Sequence, residues 1–267
     1  MRDVVRACES RWGITVGERL PSHASVVYEC RDTSGAARIL KIVRAAEPLR
    51  REIAVLRAWD GQGAPRLIAD DPALGALLLE RVTPGAHLPP GDDERDTRSV
   101  ADLLRRLQSV DPPSALPTQA AAYDEWRERV RMNGEPNTAG MRLLEVARAA
   151  FTRLDASTKR RVLLHGDFID KNLLLGASGY VAIDPIPRTG DACSDIGFYA
   201  AYHPPARAIA TRARAVARVV GLEEERAARW AAVWAVGEAT ETWRSDSAEL
   251  QTWVDGAEAR ALLEISA

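Results

Sequence analysis

The sequence predicts an α+β protein in which a small β-rich lobe is followed by a larger helical lobe. The first third of the chain contains short segments rich in β-branched residues, which favour strands. After Thr83–Gly85, most apolar residues recur at helical spacing. The Thr-Pro-Gly break predicts a hinge near Leu79–Pro84. We therefore expect one lobe over 1–82 and a second over 83–267.

The β-rich part is predicted to contain a hairpin followed by an amphipathic helix. Ser25–Arg31 and Ala37–Val43 are strand-like, and the Asp-Thr-Ser-Gly segment between them has the composition of a tight turn. Pro48 favours the first turn of a helix. Apolar residues from Leu49 to Trp59 then repeat on one helical face. Two further strands are predicted over Pro65–Ala69 and Ala76–Val82.

The rest of the chain is predicted to be mainly helical, with three short strands. Helices are expected over Asp93–Val110, Tyr123–Arg131 and Ala139–Leu154, and from about Pro204 to the end. Strands are expected at Arg161–Leu164, Asn172–Leu175 and Tyr180–Ile183. The last two strands would pair as a hairpin, so the residues at its open end would meet at one edge of the structure.

The composition argues against several classes of function. The net charge of −2 argues against a nucleic-acid binder or a membrane-surface binder, because either needs a basic excess. Cys8, Cys30 and Cys193 lie far apart, so neither a disulfide framework nor a structural zinc site is indicated. No apolar run approaches the roughly 20 residues of a membrane span. We therefore expect a protein of the cytoplasm. We also expect a monomer.

One polar segment, His165–Asn172, carries the residues on which the functional prediction depends. It follows an apolar strand, and Asp184 ends another strand twelve residues after Asn172. Asn172 and Asp184 offer an amide oxygen and a carboxylate, which suit Mg²⁺. Asp167 could orient and deprotonate an attacking hydroxyl, because proton removal comes late in a loose phosphoryl-transfer transition state. The alternative is a polar turn followed by a chance Asp-Pro turn.

The pattern His165-x-Asp167-x-x-x-x-Asn172, followed by Asp184, resembles the signature of the aminoglycoside phosphotransferase family, whose members are relatives of protein kinases. Gly166 stands where protein kinases carry Arg, which favours the antibiotic kinases. The resemblance implies that Asp167 is catalytic and that Asn172 and Asp184 hold magnesium. It implies a protein-kinase-like bilobal fold with a five-stranded nucleotide-binding first lobe, and ATP and Mg²⁺ as cofactors.

The continuation Gly190–Gly197 also resembles this family, in which an Asp at the position of Asp195 helps to hold the catalytic loop. An ordinary helix N-cap is the alternative role for Asp195, and both roles stay open. The role of Asp191 is left open. His165 is expected to support the loop structurally by hydrogen bonding rather than to take part in catalysis.

The resemblance extends to two charged residues of the first lobe. Lys41 lies on the second strand of the predicted hairpin and resembles the family lysine that contacts the α- and β-phosphates. Lysine is rare in this chain, whose other lysines are Lys159 and Lys171. Glu52 would be the ion-pair partner of Lys41. The alternatives are a surface lysine and a solvated helix glutamate, since Glu47 is also close by.

The hinge and the first turn of the first lobe are predicted to contact the nucleotide. The Glu80 carbonyl and the Val82 amide would pair with the adenine edge, as the resemblance implies. The segment before and including Ser25 holds small and hydroxyl residues in place of a glycine-rich loop, which argues against a protein kinase. Pro185 replaces the Phe of the protein-kinase metal motif, so we expect a site that is competent without a switch.

The acceptor is predicted to be a small molecule, and the family resemblance points to an aminoglycoside. The Ile-Asp-Pro form at Asp184 and the chain length favour the streptomycin-type 6-phosphotransferases. Asp170, Glu238 and Glu241 are candidate contacts for a cationic substrate. The alternative is a solvated loop carboxylate for Asp170 and a solvated acidic helix face for Glu238 and Glu241, and we expect only one or two acidic residues of the tail to touch substrate. The alternatives are another hydroxylated acceptor, such as hydroxyurea, an amino alcohol or a sugar, or a nucleotide-binding pseudokinase.

Overall fold

The described part of the chain, in a computed structural model, comprises residues 1–22, 25–89, 94–132, 138–202 and 209–242, without the side chains of 126, 129–132, 138–140 and 238–242. The sheet-rich part contains α1 (Arg2–Trp12), β1 (Thr15–Leu20), β2 (Ser25–Arg31), β3 (Ala37–Val43), α2 (Ala46–Trp59), β4 (Leu67–Asp71) and β5 (Ala76–Glu80). The helical part contains α3 (Glu94–Gln108), α4 (Gln119–Met132), α5 (Thr138–Ala156), β6 (Val162–Leu164), β7 (Leu173–Gly176), β8 (Gly179–Ala182), β9 (Arg188–Gly190), α6 (Ala192–Ala201), α7 (Ile209–Val220) and α8 (Glu224–Thr242). This division confirms the predicted α+β class.

The first five strands form one antiparallel sheet in the order β1-β2-β3-β5-β4. Strands β2 and β3 have the bounds predicted for them. The Asp32 carboxylate organises the turn between them by accepting the backbone N–H groups of Ser34 and Ala36. Because β3 is paired on both sides, Lys41 lies on a central strand of the sheet.

Helix α1 is absent from the predictions, although its sequence carries a signal. Val4, Cys8 and Trp12 recur every four residues on one helical face. They pack against a cluster that includes Leu78 of β5, whereas the neighbouring Leu77 belongs to the cluster that includes α2. Since successive strand residues point to opposite faces, α1 and α2 cover opposite faces of the sheet.

Helix α2 ties the sheet to the helical part. Pro48 lies in its first turn, as predicted, and the helix ends at Trp59. The indole N–H of Trp59 donates to the Leu107 carbonyl of α3 at 3.0 Å. The Gly63 carbonyl accepts the Ala182 N–H of β8 at 2.8 Å. The C-terminal end of α2 is therefore fixed against the elements that carry the candidate site.

Two short antiparallel strand pairs, β6–β9 and the β7–β8 hairpin, lie in the helical part. The β7–β8 hairpin was predicted within one residue at each end, whereas β9 was not predicted. The chain after the hinge runs beside β7, because the N–H groups of Gly85 and Leu88 donate to the carbonyls of Leu175 and Leu173. The predicted hinge therefore leads directly to the β7–β8 hairpin.

Helices α6, α7 and α8 share the main hydrophobic core with α3 and α5. Helix α6 approaches α8 so closely that a Cβ on Gly197 would lie 2.6 Å from the Trp230 carbonyl carbon and from the Ala231 nitrogen. Within the described ranges, no helix is long and apolar enough to cross a membrane. Trp243 and Trp253 of the predicted helical tail lie outside the described residues. The boundary after residue 82 stays a prediction.

Candidate active site

The loop between β6 and β7, His165–Asn172, is called the catalytic loop below. The Asn172 side-chain amide donates to the Asp167 carboxylate at 2.8 Å and to the Asp167 carbonyl at 2.9 Å. The Ile183 N–H donates to the Asn172 carbonyl at 2.9 Å, one step beyond the β7–β8 ladder. Asp167, Asn172 and Asp184 therefore lie together at the open end of this hairpin, as the spacing predicts.

Asp184 has a backbone conformation that non-glycine residues rarely adopt. Its φ is +55°, in the left-handed region, and its side chain is about half exposed, at 49%. The Oδ1 atom accepts a hydrogen bond from Lys41 Nζ at 3.0 Å. Backbone conformations of this kind are concentrated at functional sites. The turn thus holds a charged carboxylate toward the lysine of the sheet.

Lys41 joins the sheet, helix α2 and the catalytic region. Its Nζ contacts Glu52 Oε1 at 2.6 Å as well as Asp184, and both Lys41 and Glu52 are buried. Burial opposes the charged form of Lys41, but the two carboxylates outweigh burial and raise its pKa. Burial raises the pKa of Glu52, and Lys41 opposes this rise. The ammonium group is thus held between two carboxylates.

Asp167 is a partly buried carboxyl group beside several polar partners. Burial raises its pKa, while the hydrogen bond from Asn172 and the positive charges of Lys171 and Arg188 oppose the rise. A carboxylate with a raised pKa is a stronger base than one in water. The Asp167 side chain is therefore suited to accepting a proton from a bound hydroxyl.

His165 is completely buried beneath the loop. Its ring stacks on Trp59 of α2 with centroids 6.0 Å apart and meets Phe168 edge-on. Its Nδ1 accepts the Asp167 N–H at 3.4 Å. Burial lowers the pKa of His165 to about 4, so the ring is neutral at physiological pH. Through these contacts His165 supports the structure of the catalytic loop and links it to α2.

The structure gives a physical reason for Gly166. Its φ is +78°, and a Cβ would lie 2.0 Å from the Ile186 carbonyl oxygen. The Arg188 guanidinium occupies the adjacent space and donates to the Gly166 carbonyl at 2.6 Å. Arg188 was not singled out in the sequence, because arginine is common throughout the chain. A side chain at position 166 would displace this packing.

Asp195 holds the backbone of the catalytic loop by hydrogen bonding. Its carboxylate accepts the N–H groups of His165 at 2.8 Å and Gly166 at 3.0 Å. Burial raises the pKa of Asp195 to about 6. The alternative role as a helix N-cap is wrong, because Asp191 caps α6 by accepting the Cys193 N–H. Asp195 lies inside the first turn of α6, with its carboxylate directed to the loop.

The other residues predicted to contact nucleotide or substrate lie in different elements of the chain. Ser25 begins β2, and its hydroxyl lies 2.9 Å from that of Ser22. Glu80 ends β5, and Val82 lies in the segment that follows. The Asp170 carboxylate accepts the Lys171 N–H at 2.7 Å within a short 3-10 turn. The side chains of Glu238 and Glu241 of α8 lie outside the described residues.

The residues at the hairpin end fit a magnesium ion. The Asn172 nitrogen is used by Asp167, so the amide oxygen is directed away from that carboxylate. Asp184 Oδ2 accepts no hydrogen bond from the described part of the chain. Among the described residues, no group of three His, Cys, Asp or Glu side chains could hold a metal by itself. Two protein ligands are a normal share for Mg²⁺ bound with substrate phosphates.

Comparisons with known proteins identify the family to which this chain is similar. The aminoglycoside/hydroxyurea antibiotic resistance kinase family matches residues 11–247. A hydroxyurea phosphotransferase of Kitasatospora aureofaciens is 35% identical over 82% of this chain and 66% of its own length. A streptomycin 6-kinase of Streptomyces glaucescens is 31% identical over 82% of this chain and 76% of its own length. The match thus spans about two thirds of the first relative and three quarters of the second.

A solved structure confirms the predicted kinase-like fold. A choline/ethanolamine kinase family protein of Mesorhizobium loti superposes with a TM-score of 0.72 over 99% of this chain and 98% of its own. The two chains are 15% identical, so the likeness concerns the fold alone. Because the superposition covers 99% of this chain, it includes both the antiparallel five-stranded sheet and the helical part.

We expect acidification through about pH 6 to lower turnover, because protonation removes the charge with which Asp195 holds two loop N–H groups. The folded-state pKa of about 6 lies above the ordinary 3.8. The folded protein therefore binds this proton more readily, and the contribution of Asp195 to stability rises as turnover falls. Asp195→Asn should lower turnover at all pH values and remove this acid limb. An unchanged limb in the variant would assign it to another group.

Proposed function

The chain belongs to the aminoglycoside/hydroxyurea antibiotic resistance kinase family, and from that premise we propose that it transfers the γ-phosphoryl group of ATP to a hydroxyl group of a small molecule. The observation that carries the proposal is the meeting of three segments at Lys41, which contacts both Glu52 and Asp184. In the proposed assignment, Lys41 is the phosphate-binding lysine and Asp184 is the metal-binding carboxylate beside it.

The nucleotide is proposed to bind between the sheet and the catalytic loop. Residues 1–82 would form its lobe, with the backbone of Glu80 and Val82 pairing with the adenine and Ser25 near the phosphates. Lys41 would contact phosphate oxygens while Glu52 holds its ammonium group in place. Use of ATP would place the reaction in the cytoplasm.

Asn172 and Asp184 are the proposed magnesium ligands. A bound Mg²⁺ would neutralise charge on the phosphates during transfer. The hydrogen bonds from Asn172 to Asp167 fix the side-chain amide, and Lys41 fixes Asp184. Both oxygen ligands are thus oriented before any ion arrives, which reduces the reorganisation required at the moment of reaction.

Asp167 is the proposed catalytic residue. In a loose transition state the nucleophile needs orientation more than early deprotonation. The Asp167 carboxylate is fixed by Asn172, and its backbone N–H lies against His165. It would accept the proton of the acceptor hydroxyl as the new O–P bond forms and the bond to the leaving ADP oxygen breaks.

The acceptor is proposed to be an aminoglycoside, with the streptomycin type favoured. Two relatives named streptomycin 6-kinase match at 31% and 30% identity. Asp170 lies on the catalytic loop and could contact a cationic group, and Glu238 and Glu241 stay candidates for the same role. Phosphorylation would place negative charge on a cationic drug, which is a chemical basis for inactivation and resistance.

A second acceptor is favoured by a specific observation. The relative with the higher identity, 35%, is named a hydroxyurea phosphotransferase. Hydroxyurea also offers a hydroxyl to the same carboxylate, so Asp167 would have the same role. A pseudokinase is disfavoured, because Lys41, Asp167, Asn172 and Asp184 are all present, with Lys41 paired to Asp184 and Asn172 to Asp167.

A panel of acceptors should separate these proposals. We expect ATP consumption to rise when streptomycin is added, more than with kanamycin-type aminoglycosides, hydroxyurea, choline or simple sugars. The product should gain one phosphoryl group by mass spectrometry. Turnover with hydroxyurea but not with streptomycin would select the second acceptor. ATP binding without turnover on the whole panel would support the pseudokinase alternative.

Asp167→Ala should lower kcat by about 10²–10⁴-fold, while ATP binding measured by calorimetry stays within about threefold of wild type. The kcat should fall while ATP binding is kept, because in the proposed reaction Asp167 acts on the acceptor hydroxyl and not on the nucleotide. Asp102→Ala is the matched control, because Asp102 is an exposed carboxylate on α3 that pairs with Arg105. A variant at Asp167 that keeps more than about a tenth of the wild-type kcat would contradict the assigned role.

A further inference from the structure

We infer that Arg226 of α8 is a positioning residue for the catalytic loop, and that it acts through Asp191 and Asp195 at the start of α6. The sequence leaves Asp191 without a role beside the motif residues. The structure links it to a guanidinium group on one side and, one helical turn later, to the catalytic loop. The turnover part of this inference rests on the proposed function, whereas its structural part does not.

Arg226 neutralises a buried carboxylate. Its Nε donates to Asp191 Oδ2 at 2.5 Å, and Asp191 is 4% exposed. The same guanidinium donates to the Leu154 carbonyl at 2.6 Å and to the Ser157 hydroxyl at 3.0 Å. Thr158 also donates to Asp191 Oδ2, at 3.1 Å. One side chain therefore joins α8, the end of α5 and the start of α6.

The first turn of α6 is fixed by further buried polar contacts. Asp191 Oδ1 caps the helix at the Cys193 N–H, at 2.9 Å. Gln119 of α4 is completely buried; it accepts the Asp191 N–H at 3.1 Å and donates to the Ser194 hydroxyl at 2.8 Å. Trp234 of α8 donates to the same hydroxyl at 3.2 Å. Helices α4 and α8 therefore both fix the position of this turn.

The position of the catalytic loop follows from the position of this turn. Asp195 comes four residues after Asp191, which is about 6 Å further along the helix axis. Its carboxylate is the acceptor for the N–H groups of His165 and Gly166. Hydrogen bonds weaken steeply with distance and angle. A shift of α6 would therefore move or release the backbone that carries Asp167.

Removing Arg226 would leave the buried Asp191 carboxylate without the guanidinium that hydrogen-bonds to it. A buried ion that loses its partner is strongly unfavourable, so the start of α6 would move toward water or rearrange. A misplacement of about 1 Å can lower a catalytic rate by about 10²-fold even when the mutation lies away from the reacting atoms. The expected defect is thus in the loop and in turnover rather than in nucleotide affinity.

The test compares Arg226→Met with Arg218→Met in the full chain. Arg218 also pairs with a carboxylate, because its guanidinium donates to both oxygens of Glu224, but this pair lies on the exposed surface of α7 and α8. Hydrogen exchange measured by mass spectrometry should become about tenfold faster in peptides covering 163–168 of Arg226→Met. The kcat should fall about tenfold or more, with the KM for ATP within about threefold. Arg218→Met should match wild type in both measurements.

Two further variants keep the test decisive if Arg226→Met folds poorly. Thr158→Val removes a neutral hydroxyl that contacts Asp191, Arg226 and the Leu154 carbonyl, and it should change exchange and kcat in the same direction by a smaller factor. Asp191→Asn removes the uncompensated charge but keeps an oxygen that can cap α6. Adding it to Arg226→Met should restore part of the exchange protection, because coupled residues are non-additive.

The inference is overturned if exchange in 163–168 stays at the wild-type rate in folded Arg226→Met, or if exchange rises equally in the loop and in β2. It is also overturned if adding Asp191→Asn to Arg226→Met restores none of the lost exchange protection in 163–168. Failure of the proposed function looks different. In that case the wild-type chain turns over no acceptor in the panel, while the exchange experiment still reports whether Arg226 positions the loop.

Discussion

The contact of one buried ammonium group with two carboxylates is the constraint on which the site depends. Lys41 belongs to a central strand, Glu52 to the helix beside the sheet, and Asp184 to the end of a hairpin 143 residues away in sequence. A buried charge is tolerated only when it is paired and hydrogen-bonded. The sheet, α2 and the β7–β8 hairpin must therefore keep their relative positions if Lys41 is to stay paired with both carboxylates.

The two sides of this contact are supported in different ways. On the sheet side, α2 is held by the indole hydrogen bond of Trp59 and by the stacking of Trp59 on His165. On the helical side, the catalytic loop is held by Asp195, and Arg188 fills the space that Gly166 leaves open. The loop is thus supported from both sides.

How well each feature was predicted depended on how far apart in sequence its interacting residues lie. The β2–β3 hairpin and the placement of Asp167 and Asn172 at one end of the β7–β8 hairpin are local, so strand composition and loop spacing predicted them, whereas the hydrogen bond between Asp167 and Asn172 was not predicted. Arg188 and Arg226 escaped detection because arginine is abundant and their partners are distant in sequence. Helix α1 carried an i, i+4 apolar signal that was not used. Asp191 and Asp195 could not be told apart as caps, because either could precede a helix.

The central claim is that Asn172 and Asp184 share one metal ion beside a nucleotide whose phosphates contact Lys41. The most direct test is a crystal structure of the protein with a non-hydrolysable ATP analogue and Mn²⁺, located by its anomalous signal. The account predicts a metal bound by the Asn172 amide oxygen and an Asp184 carboxylate oxygen at about 2.0–2.2 Å, with a phosphate oxygen within hydrogen-bond distance of Lys41. A nucleotide bound away from Lys41, or a metal that contacts neither residue, would contradict it.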